Sequence, residues 1–544
     1  MIGIAALLLG LAGFTHITHG SPLLRRDDGP IVDLGYAKYR GNNTNEKTVS
    51  YLGIPYAQPP VGDLRFRAPA PLDTTGTVGD VVDATEYPNF CIQGTTGAGE
   101  AGGAGSEDCL KLNIYVPANA TEDSKLPVLV YIHGGGYFYG NPAAWPFEHW
   151  IEQSPNVVIA SVYYRLDSIG FLTAPEFADD ASLGDLNAGF LDQRAALQWV
   201  QEHISKFGGD PGQVTINGES AGGASIELHL VATEEEGLFH GAIAQSVYRA
   251  PLPTPEQQKP LFDLYLNETG CADGDITEQM ACLRAADVSV LARAQDAIRY
   301  STADLPYRLF HPVLDKKIFT DYPTRLITSG KFAQVPLIVG ATSNETLAGG
   351  QTIKAGLQSY FPALSDEDAE KILALYPEDS FSSEQEYTLT ATGDSSVRCA
   401  RTILGEAFSQ SVPAWTYRYN QRNPTEENST LVNHAAENWM MFQGTNTGPN
   451  GTFTLTPQSD VELAFAEELI AYWLSFVRAG DPNTYKLDRS PEWTGYSTGE
   501  RARIVLQEGP EDDLDESGSF VEEEGKEETE RCELVAQLVD GQEA

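Results

Sequence analysis

The chain has 544 residues, 41% hydrophobic and 10% aromatic, ample for a packed core. Its 35 Lys+Arg against 77 Asp+Glu leave a formal net charge of −42. Such a surface repels nucleic acid and anionic lipid headgroups, which excludes both as partners. Length alone suggests about three domains, but large α/β folds often run this long as one.

The N-terminus reads "MIGIAALLLGLAGFTHITHGSPLLRR". Its apolar run, Ile2–Phe14, is too short to span a bilayer and fits a signal-peptide core, without a charged segment ahead of it. Thr18 and Gly20 offer small residues for cleavage before Ser21, and Arg25-Arg26 a dibasic processing site. The expected organisation is a signal peptide over 1–20, a pro-segment over 21–26, a catalytic domain over 27–506 and an acidic tail over 507–544. Residues 508–530 are crowded with Asp and Glu, so the tail is expected to be solvated and partly disordered. No later segment has the apolar length of a membrane helix, and secretion is the natural inference.

Six cysteines fit an oxidising compartment. Local spacing favours Cys91–Cys109 and Cys271–Cys282, leaving Cys399 and Cys532 paired at long range or free. N-glycosylation sequons start at Asn42, Asn119, Asn267, Asn344, Asn428 and Asn450.

Residues 94–105, "GTTGAGEAGGAG", read as a loop. "PVLVYI" (127–132) and "NVVIASVYY" (156–164) read as buried strands. "LDQRAALQWVQEHISKF" (191–207) places Leu197, Val200, Ile204 and Phe207 on one helical face. "QVTI" (213–216), "GAIAQSV" (241–247) and "VPLIVG" (335–340) are further strands. Strand, helix, strand in this order predicts an α/β fold with a mostly parallel sheet covered by helices.

After the first of these strands comes "YIHGGGYFYG". His133-Gly134-Gly135-Gly136 lets backbone N–H groups face a carbonyl oxygen without side-chain interference. Tyr137, Phe138 and Tyr139 then either shape an acyl pocket or pack in the core.

"QVTI" is followed by Gly218-Glu219-Ser220-Ala221-Gly222, and "SAGGASIELHLVA" can continue as a helix. G-x-S-x-G alone arises by chance in a chain with 51 glycines, but a strand-to-helix turn is the setting a nucleophilic serine needs. There Ser220 meets the backbone N–H groups of a helix N-terminus, and Ala221 supplies one more N–H. A serine nucleophile needs a base, and the base an orienting acid. His229 falls on the helix behind the serine, and His240 immediately precedes a strand. His434, in "NHAAENW" after the strand-like "AWTYRYN" (414–420), stands where the base belongs. Glu345 lies five residues past a strand, a position that on its own reads as solvent-facing.

The chain resembles the type-B carboxylesterase/lipase family, which includes the cholinesterases, and is most similar to its secreted fungal members. The resemblance runs from about residue 31 to 500, through "YLGIPYAQPPVGDLRFRAPAP" (51–71), "SEDCLKLNIYVP" (106–117), "HGGGYFYG" (133–140), "GFLDQRAALQWVQEHISKFGGDPGQVTINGESAGGAS" (189–225), "GATSNE" (340–345) and "NHAAENWMMF" (433–442). It implies an α/β-hydrolase fold with helical insertions. It makes Ser220 the nucleophile, Glu345 the triad acid and His434 the base. Gly135, Gly136 and Ala221 would form the oxyanion hole, with Glu219 helping to hold the imidazolium. It also implies an Arg65–Glu107 ion pair and the two local disulfides. The implied activity is hydrolysis of small carboxylic esters, with no metal or organic cofactor. The short, glycine-rich loop between the first two cysteines has no aromatic residue for a quaternary ammonium and no apolar face for a lipid lid. A secreted esterase acting on soluble esters is therefore favoured over a triacylglycerol lipase. A hydrolase of secondary metabolism and a non-catalytic binding module are the other readings. A glycan at Asn344 would crowd the neighbouring acid, so Asn42, Asn119, Asn267, Asn428 and Asn450 are the expected acceptors. Oligomeric state is left open.

Overall fold

The structure, a computed structural model, describes residues 29–75, 79–94, 104–233, 235–299, 305–426 and 429–544. The signal-peptide and dibasic segments, most of the glycine-rich loop, and Asn428 lie outside these residues.

Ten strands form one sheet. They are β1 (Thr48–Pro55), β2 (Lys111–Pro117), β3 (Leu126–Ile132), β4 (Val158–Val162), β5 (Gly209–Glu219), β6 (Gly241–Gln245), β7 (Leu337–Thr342), β8 (Ala414–Tyr419), β9 (Ala502–Leu506) and β10 (Phe520–Glu523). Their spatial order is β10-β9-β8-β7-β6-β5-β3-β4-β2-β1. Every pairing from β9 across to β4 is parallel. The outer pairings are antiparallel. The expected mostly parallel sheet is thus present.

Its central strands are apolar on both faces because both are covered. Val128, Val130 and Ile132 point into one core with helix α1 (Ala188–His203) and helix α2 (Ala221–Val231). Leu129 and Tyr131, alternate in sequence, point into a second core under helix α3 (Asp460–Ala479). That long helix starts in a capping box of Ser459 and Glu462 and ends at Gly480 with φ 68°. In register, Ile132 lies opposite Gly218, Gln245 opposite Gly340, and Gly340 opposite Tyr417. The loops leaving β3, β5, β7 and β8 therefore emerge together at the carboxyl edge of the sheet, where α/β proteins gather their ligand sites.

In the C-terminal region, expected to be a solvated tail over 507–544, residues 511–516 are exposed and the segments after them pack on the body. Phe520–Glu523 joins the sheet beside β9. Helix α4 (Lys526–Gln537) is tied to the body by Cys399–Cys532. Leu534, and Leu538 just past its end, pack against a small core of insertion helices around Leu357, Phe361 and Ile372. Glu511, Asp512, Asp513, Asp515 and Glu516 are exposed, whereas Glu522, Glu524 and Glu528 are paired with arginines. Glu522 takes Arg418 and Arg503, and Glu528 takes Arg401 and Arg503. Burial opposes charge on Glu528, yet Arg401 and Arg503 bring it down to about 2. The other disulfides are Cys91–Cys109 and Cys271–Cys282. Arg65 grips Glu107 bidentately, at 2.6 and 2.7 Å.

Candidate active site

Ser220 stands between β5 and α2 with φ 59° and ψ −119°. A non-glycine residue in this region is strained, and the surrounding turn must hold it there. The neighbouring glycines make that turn possible. A Cβ on Gly218 would lie 2.6 Å from the Ile132 carbonyl oxygen, and one on Gly222 only 2.1 Å from it. The Ser220 N–H donates to the Gln245 carbonyl at 3.0 Å, fixing the turn to β6.

The loop after β3 packs against this turn: a Cβ on Gly134 would lie 3.0 Å from that of Ser220. Gly135 and Gly136 have φ of 105° and 60°, where side chains are disfavoured. The Gly135 carbonyl accepts from the N–H groups of Phe138 and Tyr139 and closes the loop on itself. The three aromatics divide between their two readings. Tyr137 is buried in the core with its hydroxyl on Ser225, whereas Phe138 and Tyr139 line the cavity over Ser220.

His434 reaches both other members of the expected triad. Its Nε2 is 2.7 Å from Ser220 Oγ, and its Nδ1 is 2.6 Å from Glu345 Oε2. Glu345 is fully buried, not solvent-facing, and its second oxygen accepts from the Thr342 N–H at 2.9 Å. Burial would raise its carboxyl, but the His434 ring, the Ser246 hydroxyl and the Thr342 N–H hold it below the ordinary range. His229 is bonded to Gln193 beneath α1, and His240 donates its backbone N–H to Val214; neither touches Ser220.

Three further groups surround the imidazole, and only Glu219 among them is anticipated by the sequence. Glu219 Oε1 is 3.5 Å from His434 Nε2, while Oε2 accepts from Asn438 at 2.9 Å. Glu437 is buried behind it, with Tyr417 OH at 3.3 Å and Ser246 Oγ at 3.5 Å. Burial raises Glu219 to about 7, and burial together with the neighbouring carboxylates raises Glu437 to about 8. Burial alone would depress His434. The Glu345 and Glu219 carboxylates reverse this and lift it to about 9. The available clue to Glu437 and Asn438 was their place three and four residues after His434, inside one short helix, Ala436–Met441.

A cavity of about 410 Å³ opens over Ser220 and His434, with Gly135 and Gly136 in its wall. Among the described residues, no cluster of His, Cys, Asp and Glu could hold a metal ion. The arrangement offers a hydroxyl on a base, the base on a buried carboxylate, and a glycine loop alongside. That is the apparatus of acyl transfer.

Comparison with known proteins agrees with this geometry. The model of the carboxylesterase family matches residues 28–517. The chain is 31% identical to the solved structure of Aspergillus niger EstA, with a TM-score of 0.82 over 95% of this chain and 99% of that one. It is 31% identical to the para-nitrobenzyl esterase of Bacillus subtilis (strain 168), over 88% of this chain and 94% of that protein. It is 30% identical to the acetylcholinesterase of Bungarus fasciatus, over 93% and 85%. The chain belongs to the carboxylesterase family and is a carboxylic ester hydrolase with the α/β-hydrolase fold.

Proposed function

We propose that the protein is a secreted serine carboxylesterase in which Ser220, His434 and Glu345 form the catalytic triad. The observation that carries this reading is the unbroken chain from Ser220 Oγ through His434 to Glu345, at 2.7 and 2.6 Å. Ser220 Oγ attacks the ester carbonyl as its proton passes to His434 Nε2. Glu345 keeps the proton on Nδ1, fixes the ring and balances the imidazolium. The N–H groups of Gly135, Gly136 and Ala221 bind the oxyanion. His434 then protonates the leaving alcohol. In the second half it activates water against the acyl-enzyme, and Ser220 is regenerated. Glu219, at 3.5 Å from Nε2, adds a second carboxylate to hold the imidazolium.

Small, water-soluble esters are the substrates. Three disulfides support passage through an oxidising compartment, and among the described residues no helix is long and apolar enough to cross a membrane. The acidic C-terminal region is part of the catalytic body, as its disulfide and arginine pairs suggest. A fluorophosphonate probe tests the nucleophile: it should modify the peptide containing Ser220 stoichiometrically and abolish turnover together. Inactivation with the label on another residue would refute the assignment.

A further inference from the structure

The segment that leaves β6 touches the candidate nucleophile on one side and a buried ion pair on the other. The Tyr248 N–H donates to the Ser220 carbonyl at 3.3 Å, and Tyr248 and Pro251 line the cavity over Ser220. The Tyr248 ring packs edge-on against Tyr360, with centres 6.2 Å apart. Arg249, between these two wall residues, is buried outside the cavity.

The Arg249 guanidinium ends on residues 294 positions away. Its Nη2 donates to Glu543 Oε1 at 3.1 Å and to Thr324 Oγ1 at 3.3 Å. Its Nη1 donates to Gln542 Oε1 at 3.0 Å and to the Ser395 carbonyl at 2.7 Å. Glu543 is buried and follows the short helix Val539–Gln542. The Thr324 N–H donates to its Oε2 at 3.1 Å and the Thr324 hydroxyl to its Oε1. Its backbone carbonyl accepts from the Leu252 N–H at 2.8 Å. Glu543 thus holds the wall segment at Arg249 and again at Leu252.

We propose that Glu543 is a positioning residue of the active site: through Arg249 it sets where Tyr248 and Pro251 stand, and so which sizes of ester the cavity admits. The proposal rests on the reading of the site as a serine esterase. A buried guanidinium needs its charge balanced, so Arg249 stays where its carboxylate is. Tyr248 is its direct neighbour along a planar peptide, and a shift of one carries the other. There is space for such a shift. Tyr248, Pro251 and His311 line both the main cavity and a second one of about 20 Å³, which Glu227 and Leu252 also line. Glu227 is the other carboxyl facing Arg249, and burial and the Glu543 charge push it up to about 8. With Glu543 neutralised, Glu227 can ionise and balance Arg249 from the side of that small cavity. The wall segment then settles toward it, and the main cavity widens.

Two pairs of esters test this, one for each side of the carbonyl: 4-nitrophenyl acetate against 4-nitrophenyl benzoate, and phenyl acetate against 1-naphthyl acetate. The bulky-to-small ratio of kcat/KM is followed between variants, so intrinsic reactivity cancels. In E543Q the ratio should rise about fivefold in at least one pair, the scale of coupling between residues in contact. Tyr248→Ala should raise the same ratio by itself, and adding E543Q to it should then change the ratio by less than about twofold. Thr324→Val, which removes one hydroxyl from Glu543, should raise the ratio to a smaller degree and carries the test if E543Q folds poorly. Ratios that stay or fall in both pairs, in a folded E543Q or failing that in T324V, would overturn the proposal alone. So would an effect undiminished beside Tyr248→Ala, which a general loosening of the fold would give. A parent enzyme that hydrolyses none of the four esters would overturn the esterase reading beneath it.

Discussion

Asn344 and Val432 hold each other by two hydrogen bonds. The Asn344 N–H donates to the Val432 carbonyl at 3.1 Å, and the Val432 N–H donates to Asn344 Oδ1 at 2.9 Å. The Val432 carbonyl also accepts from Thr342 Oγ1 at 2.9 Å. Glu345 and His434 thus sit on two loops stapled together one and two residues away. The spacing of the proposed acid and base is thus fixed by bonds between their loops as well as by their own side chains.

This staple bears on glycosylation. Asn344 stands in the sequon "NET", yet its amide faces the other loop. Asn119 and Asn267 are exposed. Secreted from a eukaryotic host, the protein should carry glycans at Asn119 and Asn267 and none at Asn344. Peptide mass spectrometry after deglycosylation in heavy-oxygen water reads each site. High occupancy at Asn344 in fully active enzyme would show that the staple opens, and Glu345 would lose its place as the acid.

The carboxylates around His434 set its pH response. The general base of the proposed mechanism must be neutral, and the His434 imidazole is held up at about 9 by Glu345 and Glu219 against the opposing effect of burial. The kcat/KM for a neutral ester should therefore climb through the alkaline range as His434 loses its proton. Glu219, raised to about 7, is ionised across that range. Glu219→Gln removes a negative charge 3.5 Å from Nε2, which lowers the His434 pKa, so the rise should move to lower pH. A profile that stays in place would mean that Glu219 does not act on the imidazole.

The disulfides should differ in weight. Cys399–Cys532 closes a separation of 133 residues and Cys271–Cys282 one of 11. Chain entropy assigns about 5 kcal/mol to the first and about 3 kcal/mol to the second. Replacing both cysteines of the long pair by Ala should lower Tm more than the same change in the short pair, as calorimetry would show. Equal losses would mean that α4 stays docked by its arginine pairs and apolar contacts without the covalent tie.

The parallel sheet was legible because its strands are buried on both faces and read as unbroken apolar runs, as in "PVLVYI". Ser220 was legible because its turn demands Gly218 and Gly222 at fixed offsets. Glu345 was not legible from local pattern: its burial depends on a partner 89 residues away. The packing of Phe520–Glu523 and Lys526–Gln537 was not legible either, for a related reason. Acidic density predicts solvation when the matching cations are unseen, and Arg401 and Arg418 lie 127 and 104 residues before their partners Glu528 and Glu522. Glu437 was passed over because its neighbour Glu219 approaches it only through the fold.

In the proposed mechanism Ser220 Oγ is the attacking atom. Ser220→Ala removes one oxygen from a preformed turn and leaves the His434–Glu345 pair intact. Hydrolysis of 4-nitrophenyl acetate should be compared in the two proteins at matched thermal stability. A loss of turnover on the order of 10⁶ with an unchanged melting curve is the predicted result. A folded Ser220→Ala protein that keeps a tenth of the parent activity would rule Ser220 out as the nucleophile.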